Sequence, residues 1–275
     1  AVSTSTSWEL RDLTIEKFFD FNDVKPGDVG EDTISLHVNN NDSWLCAAVK
    51  LTSDDENNRN TPETKDGDVT DGPGNGELAD QVNFLWWADD GDNVLEDNET
   101  ALPGGPIGAL GVGDEAMVPL ADSQTNIWGD QGPMPASSTR YIGKAWCFGA
   151  ISAVPLAQDG QGAESTRTPA NSTGGIACDG ASVNNTAQSD SLTADVTFTA
   201  VQARSNLNYL CIPGETPPEE PITTGTLTVT KVVNIQLGGD AIVSDFPLFV
   251  HGVSVTSGVA TTTSAGARVV SETSL

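Results

Sequence analysis

Histidine is nearly absent from this 275-residue chain, with two copies; methionine also occurs twice, and Lys and Arg together number 12 against 39 Asp and Glu. The two histidines, His37 and His251, lie far apart, each in an alternating apolar-polar stretch. With no His-Glu-x-x-His pattern, a zinc hydrolase centre lacks its ligands. No Gly-x-Ser-x-Gly elbow, phosphate loop or dinucleotide fingerprint stands in a strand-to-helix context, so the chain is not expected to be an enzyme. The shortage of basic residues leaves a formal charge of −27, which repels nucleic-acid phosphates and anionic headgroups. Nucleic acid is therefore not an expected partner. No apolar run approaches the ~18 residues of a membrane helix, so membrane insertion is not expected. With no charged-then-apolar leader, the chain reads as a mature, secreted protein.

Aromatics are 6% of the residues, while Ser, Thr, Gly, Asn and Asp abound, which favours strands and turns over helices. Four cysteines, Cys46, Cys147, Cys178 and Cys211, allow three pairings, and none forms a Cys-x-x-Cys knuckle, so two disulfides are expected rather than a metal site. If Cys147 pairs with Cys178, the bond closes a polar, Gly-rich excursion over 158–185 and stabilises by roughly 3 to 4 kcal/mol. The remaining pair is then Cys46 with Cys211.

An all-β sandwich with a second, smaller β domain follows from the strand pattern. Residues 18–38 read as a hairpin, with a turn at Pro26-Gly27 and then Ile34, Leu36 and Val38 alternating with Ser35 and His37. WLCAAVKL at 44–51 suits a strand buried on both faces, VNFLWW at 82–87 resumes that character, and 116–120 and 141–151 read as strands. SLTADVTFTAVQA at 191–203 is the clearest alternating strand. Between them, 54–80 reads as a long acidic loop without a core. IPGETPPEEP at 212–221 is stiff, Pro/Glu-rich linker, so the expected division is a candidate N-terminal strand over 1–13, a main domain over 14–211, the linker, and a partial β domain over 222–275. Strands are expected in that last part at 226–233, 246–251, 253–259 and 268–272, with a missing strand supplied from outside the chain.

One stretch carries metal chemistry. In ADDGDNVLEDNE, Asp89, Asp90, Asp92, Glu96 and Glu99 alternate around a glycine that lets the backbone fold carboxylates about a hard cation, so calcium is the candidate cofactor. A solvated acidic loop is the other reading, because the spacing is not that of a helix-loop-helix calcium site. Four Asn-x-Ser/Thr sequons, at Asn41, Asn98, Asn171 and Asn184, are candidate glycan acceptors.

The Lys25-Pro26-Gly27-Asp28 turn after an aromatic-rich stretch, DTISLHVNNND and WLCAAVKL together resemble the TasA/camelysin family of secreted bacterial and archaeal fibre proteins, over about residues 8–211. The resemblance implies a jelly-roll-like sandwich that polymerises by donating an N-terminal strand to the next subunit. Here that strand is the segment bearing Val2, Thr4, Thr6, Trp8 and Leu10, and the partner is a second copy of the chain. Some members are labelled metallopeptidases, for which this chain lacks ligands. The C-terminal part, through TLTVTKVVN, DFPLFV and VVSETSL, is similar to SpaA/CnaB-type, Ig-like or prealbumin-like modules of surface adhesins and pili. That similarity implies an isopeptide role for Lys231 assisted by Glu272, with the joining asparagine outside this chain. The expected function is a structural subunit of an extracellular filament or pilus, with cell-surface or matrix polymers as further partners. Two alternatives remain: a calcium-dependent adhesin or carbohydrate-binding module with Trp86, Trp87 or Trp128 stacking on sugars, and, more remotely, a secreted metallopeptidase.

Overall fold

The computed structural model describes residues 17–212, 248–250 and 253–255. The chain divides into two compact units, Ala1–Pro218 and Glu219–Leu275, and the division falls inside the Pro/Glu-rich stretch. In the second unit the described residues form one antiparallel pair, Leu248–Val250 with Val253–Val255. The donor residues Val2, Thr4, Thr6, Trp8 and Leu10, the pair Lys231 and Glu272, and His251 lie outside the described residues.

The first unit is an all-β sandwich. One sheet has the order β1 (Val29–Val38), β7 (Ser138–Phe148), β4 (Val82–Asp89), β5 (Gly105–Pro106). The other has β10 (Ser191–Gln202), β2 (Ser43–Glu56) and β3 (Gly72–Pro73), with β6 (Glu115–Ala121) also pairing β2. A separate ribbon joins β8 (Ala150–Ala153) to β9 (Ile176–Asp179), and all of these pairings are antiparallel. Between the sheets, Val38, Trp86, Ala88 and Ile142 meet Leu45, Ala47, Leu120 and Ala121. Full burial of a large apolar side chain contributes roughly 2 to 3 kcal/mol, so this layer is the main source of cohesion.

At β4 and β7 the opposite face of the first sheet is covered as well, because VNFLWW is apolar at successive positions and so presents hydrophobes to both sides. Trp87 and Ala145 are covered there by Leu95 and Ile176, which arrive from the acidic loop after β4 and from the Gly-rich excursion. Trp87 lies flat across β7 at Gly143, where a Cβ would come within 2.0 Å of the indole, so the register leaves room only for glycine. The Cys147–Cys178 disulfide fastens the excursion to β7, and Cys46–Cys211 ties the chain beyond β10 to β2.

Three expectations change. Residues 18–38 are not a hairpin: the turn exists, with Gly27 at φ +87°, but among the described residues no strand precedes it, and β1 pairs with β7 along its whole length. The preceding aromatics pack as a plug instead, since Phe19 and Phe21 lie 5.9 Å apart and reach Trp146 at 5.9 and 5.0 Å. Phe18 and Phe19 each sit 4.1 Å from the Nζ of buried Lys144, which also pairs with Asp32 at 3.4 Å. Stacking on apolar surface and a cation outweighs alternation for so aromatic a stretch. The expected strand 141–151 breaks at Gly149 (φ +140°), where the chain leaves the sheet to enter β8.

The acidic stretch 54–80 is likewise not a structureless loop. It continues β2 to Glu56 and forms two short helices, α1 (Thr61–Asp66) and α2 (Leu78–Gln81). Asn60 and Glu63 make a reciprocal capping box at the start of α1, and Gly67 closes it in the left-handed conformation. Counting charges hid that capping signal.

Candidate metal centre

β4 ends on the buried Asp89, and Gly91 (φ +119°) and Asn93 (φ +62°) curl the following loop back on itself. The loop is then stitched to the excursion: Leu95 N–H donates to Gly174 O, Leu156 N–H to Leu95 O, and Asp97 N–H to Leu156 O. Those bonds bring Asp159 and Arg167, distant in sequence, against the loop.

The five expected ligands do not converge on one point. They form two neighbouring sets, Asp89–Asp90–Glu99 and Asp92–Glu96–Asp159, each offering carboxylate oxygens within 4.8 Å of one another. Asp159 was absent from the sequence-based set because it lies beyond the acid-rich run. Asp89 accepts from Thr33 Oγ1 at 2.7 Å, and Asp92 accepts from Val94 N–H at 2.9 Å. Glu99 accepts from the N–H groups of Asp90 and Glu96, at 2.7 and 2.9 Å. The remaining oxygens Asp89 Oδ1, Asp90 Oδ1, Asp92 Oδ2 and Glu96 Oε2 are buried and have no hydrogen-bond donor.

Burial pushes the Asp89 carboxyl up to about 6, Glu96 to about 7 and Glu99 to about 8. These are groups that gain from a proton or a cation. Among the described residues, the cation in direct contact is Arg167, whose Nη1 lies 2.9 Å from Glu96 and Nη2 3.2 Å from Asp159. Orphaned buried oxygens and an all-oxygen donor set fit a hard divalent ion of the calcium class.

His37 sits exposed on β1, within 3.0 Å of Ser35 Oγ and of Thr139 Oγ1, and belongs to no metal-binding set among the described residues. Comparison with protein-family models, with curated proteins and with solved structures found no match.

Trp86 and Trp87 are 8% and 0% exposed, which corrects their assignment as sugar platforms: the strand that carries them is buried on both faces. Trp128 is half-buried, and its indole N–H donates to Tyr141 O at 2.8 Å. Asn41, Asn98, Asn171 and Asn184 are all exposed outside strands, and the Asn171 Nδ2 donates to Thr166 O at 2.9 Å. Among the described residues, no helix is long and apolar enough to cross a membrane.

Proposed function

We propose that the chain is a structural, non-catalytic subunit of an extracellular filament, joined to the next copy by donation of the N-terminal strand, with calcium held in the loop after β4. The observation that carries this reading is the open edge of β10. Twelve residues long, β10 pairs among the described residues with β2 alone. Its sequence, SLTADVTFTAVQ, is rich in β-formers and holds one charge, Asp195, and no proline, glycine or lysine. A long edge without such blockers is a template for another strand. A segment alternating Val2, Thr4, Thr6, Trp8 and Leu10 against polar neighbours matches that need: main-chain hydrogen bonds would supply affinity and alternate side chains the register.

The two disulfides accord with an oxidising, extracellular setting. Calcium in the loop would be held by Asp89, Asp90 and Glu99 or by Asp92, Glu96 and Asp159, and would supply the positive charge that six carboxylates and one arginine lack. The experiment is electron microscopy of the purified chain with and without residues 1–13. The intact chain is expected to form filaments and the truncated chain to remain single subunits; filaments that persist after truncation would overturn strand donation.

A further inference from the structure

A second acidic centre lies away from the loop after β4. Glu56 ends β2 and is 4% exposed, and Asp68 follows the left-handed cap of α1 and is also 4% exposed. Glu77 precedes α2, and Asp190 precedes β10. Glu56 belongs to two sets at once, with Asp68 and Glu77, and with Glu63 and Asp190, each set offering oxygens within 4.8 Å of one another.

The hydrogen bonding around these acids is one-sided. Asp68 Oδ1 accepts from Thr70 N–H and lies 2.8 Å from Thr70 Oγ1, and Glu77 Oε1 is also 2.8 Å from that hydroxyl. Asp190 Oδ2 accepts from the N–H groups of Glu77 and Leu78 at 2.6 and 3.1 Å. Each of these three thus fixes one oxygen on a protein donor. The other oxygen, Asp68 Oδ2, Glu77 Oε2 or Asp190 Oδ1, is buried with no donor, as are both oxygens of Glu56. Among the described residues, no lysine or arginine forms an ion pair with any of the four. The nearby Arg59 pairs outward with Asp71 at 2.9 Å and donates to the carbonyl of Asp68.

We propose that these oxygens hold a divalent cation of the calcium class centred on Glu56, with Asp68 and Glu77 on one side and Asp190 on the other. Within each set the oxygens lie within 4.8 Å of one another, which suits the diameter of a calcium coordination sphere, and carboxylates from separate segments with no competing base are a hard, all-oxygen set. The rival arrangement is a shared proton. Burial, then Asp190, push the Glu56 carboxyl up, and the two acids lie close enough to share one proton. One proton bridges one pair and leaves Asp68 Oδ2 and Glu77 Oε2 without a partner, whereas a cation on Glu56 also answers Asp68 and Glu77, the acids of its other set. The bound ion clamps the 57–77 insertion to β2 and to the start of β10.

The test is hydrogen exchange on the full chain, in chelator and in about 2 mM calcium chloride, a concentration suited to extracellular calcium modules. Calcium is expected to slow amide exchange over residues 56–78 and 189–192 by about tenfold. Glu56→Gln should lose that protection while keeping the calcium response of residues 89–99, so the two centres fail separately. Asp190→Asn, whose amide oxygen still accepts from Glu77 and Leu78, gives the same readout if Glu56→Gln does not fold. Unchanged exchange over 56–78 in the parent chain would overturn the proposal. Equal protection by sodium chloride at matched ionic strength, or protection that survives in the variant, would do the same.

Discussion

The two acidic centres are built from similar side chains and neutralised by different means. In the loop after β4, five of the six acids come from eleven consecutive residues, and the loop's own N–H groups turn toward them. Arg167, carried in by the excursion, supplies positive charge. The Glu56 centre gathers acids from 56, 63, 68, 77 and 190, satisfies one side of most of them, and has no basic partner among the described residues. A contiguous loop bends its backbone to serve its own carboxylates, whereas distant carboxylates meet only after the sandwich closes. The centre without a base therefore depends more on an added cation.

Removing the Cys147–Cys178 disulfide, which closes 31 residues, should cost roughly 3 to 4 kcal/mol. Because that excursion positions Asp159 and Arg167, Cys147→Ala with Cys178→Ala should abolish calcium protection at residues 89–99 and spare it at 56–78, both read by hydrogen exchange. Loss at both centres would mean they are one cooperative unit and the contrast false.

Glu31 separates burial from clustering, since burial alone raises it from 4.5 to about 7 and its Oε2 has no donor. A carboxyl held high in the folded state binds more proton there than when unfolded. Its contribution to stability is therefore complete below about pH 4.5 and is lost as pH rises through 7. Glu31→Gln should remove a fall of roughly 2 to 3 kcal/mol between pH 5 and pH 8 in denaturant titrations, with no change in calcium response. A calcium response altered by this variant would show that burial, not clustering, sets cation demand.

The smallest effect expected is at Arg167. Arg167→Met removes the partly exposed cation that bonds the fully buried Glu96, which should cost about 2 kcal/mol in chelator and less in calcium, measured by thermal melting. An equal loss in both conditions would mean the arginine, not a metal, neutralises the loop.

Much of the sandwich is legible in the residues. WLCAAVKL and VNFLWW are apolar on both faces and become β2 and β4, each paired on both sides. The alternation of Ile34, Leu36 and Val38 gives β1, though its partner β7 lies about a hundred residues away, a distance no local pattern encodes. The run Asp89 to Glu99 shows its carboxylates in the sequence, but not that they split into two sets or that Asp159 joins one. The acid count over 54–80 masked a capping box and buried carboxylates, because burial depends on what the rest of the chain lays over them.

The sequence by itself determined the strand-rich composition, the acidity and the clustering of carboxylates after β4, since those are properties of neighbouring residues. Tertiary structure alone decided that Phe18 and Phe19 cover Lys144, that Trp86 and Trp87 are core, and that Glu56 faces Asp190 across 134 positions. Each depends on which surfaces close against one another, and a buried charge acquires its chemistry only once water has been displaced.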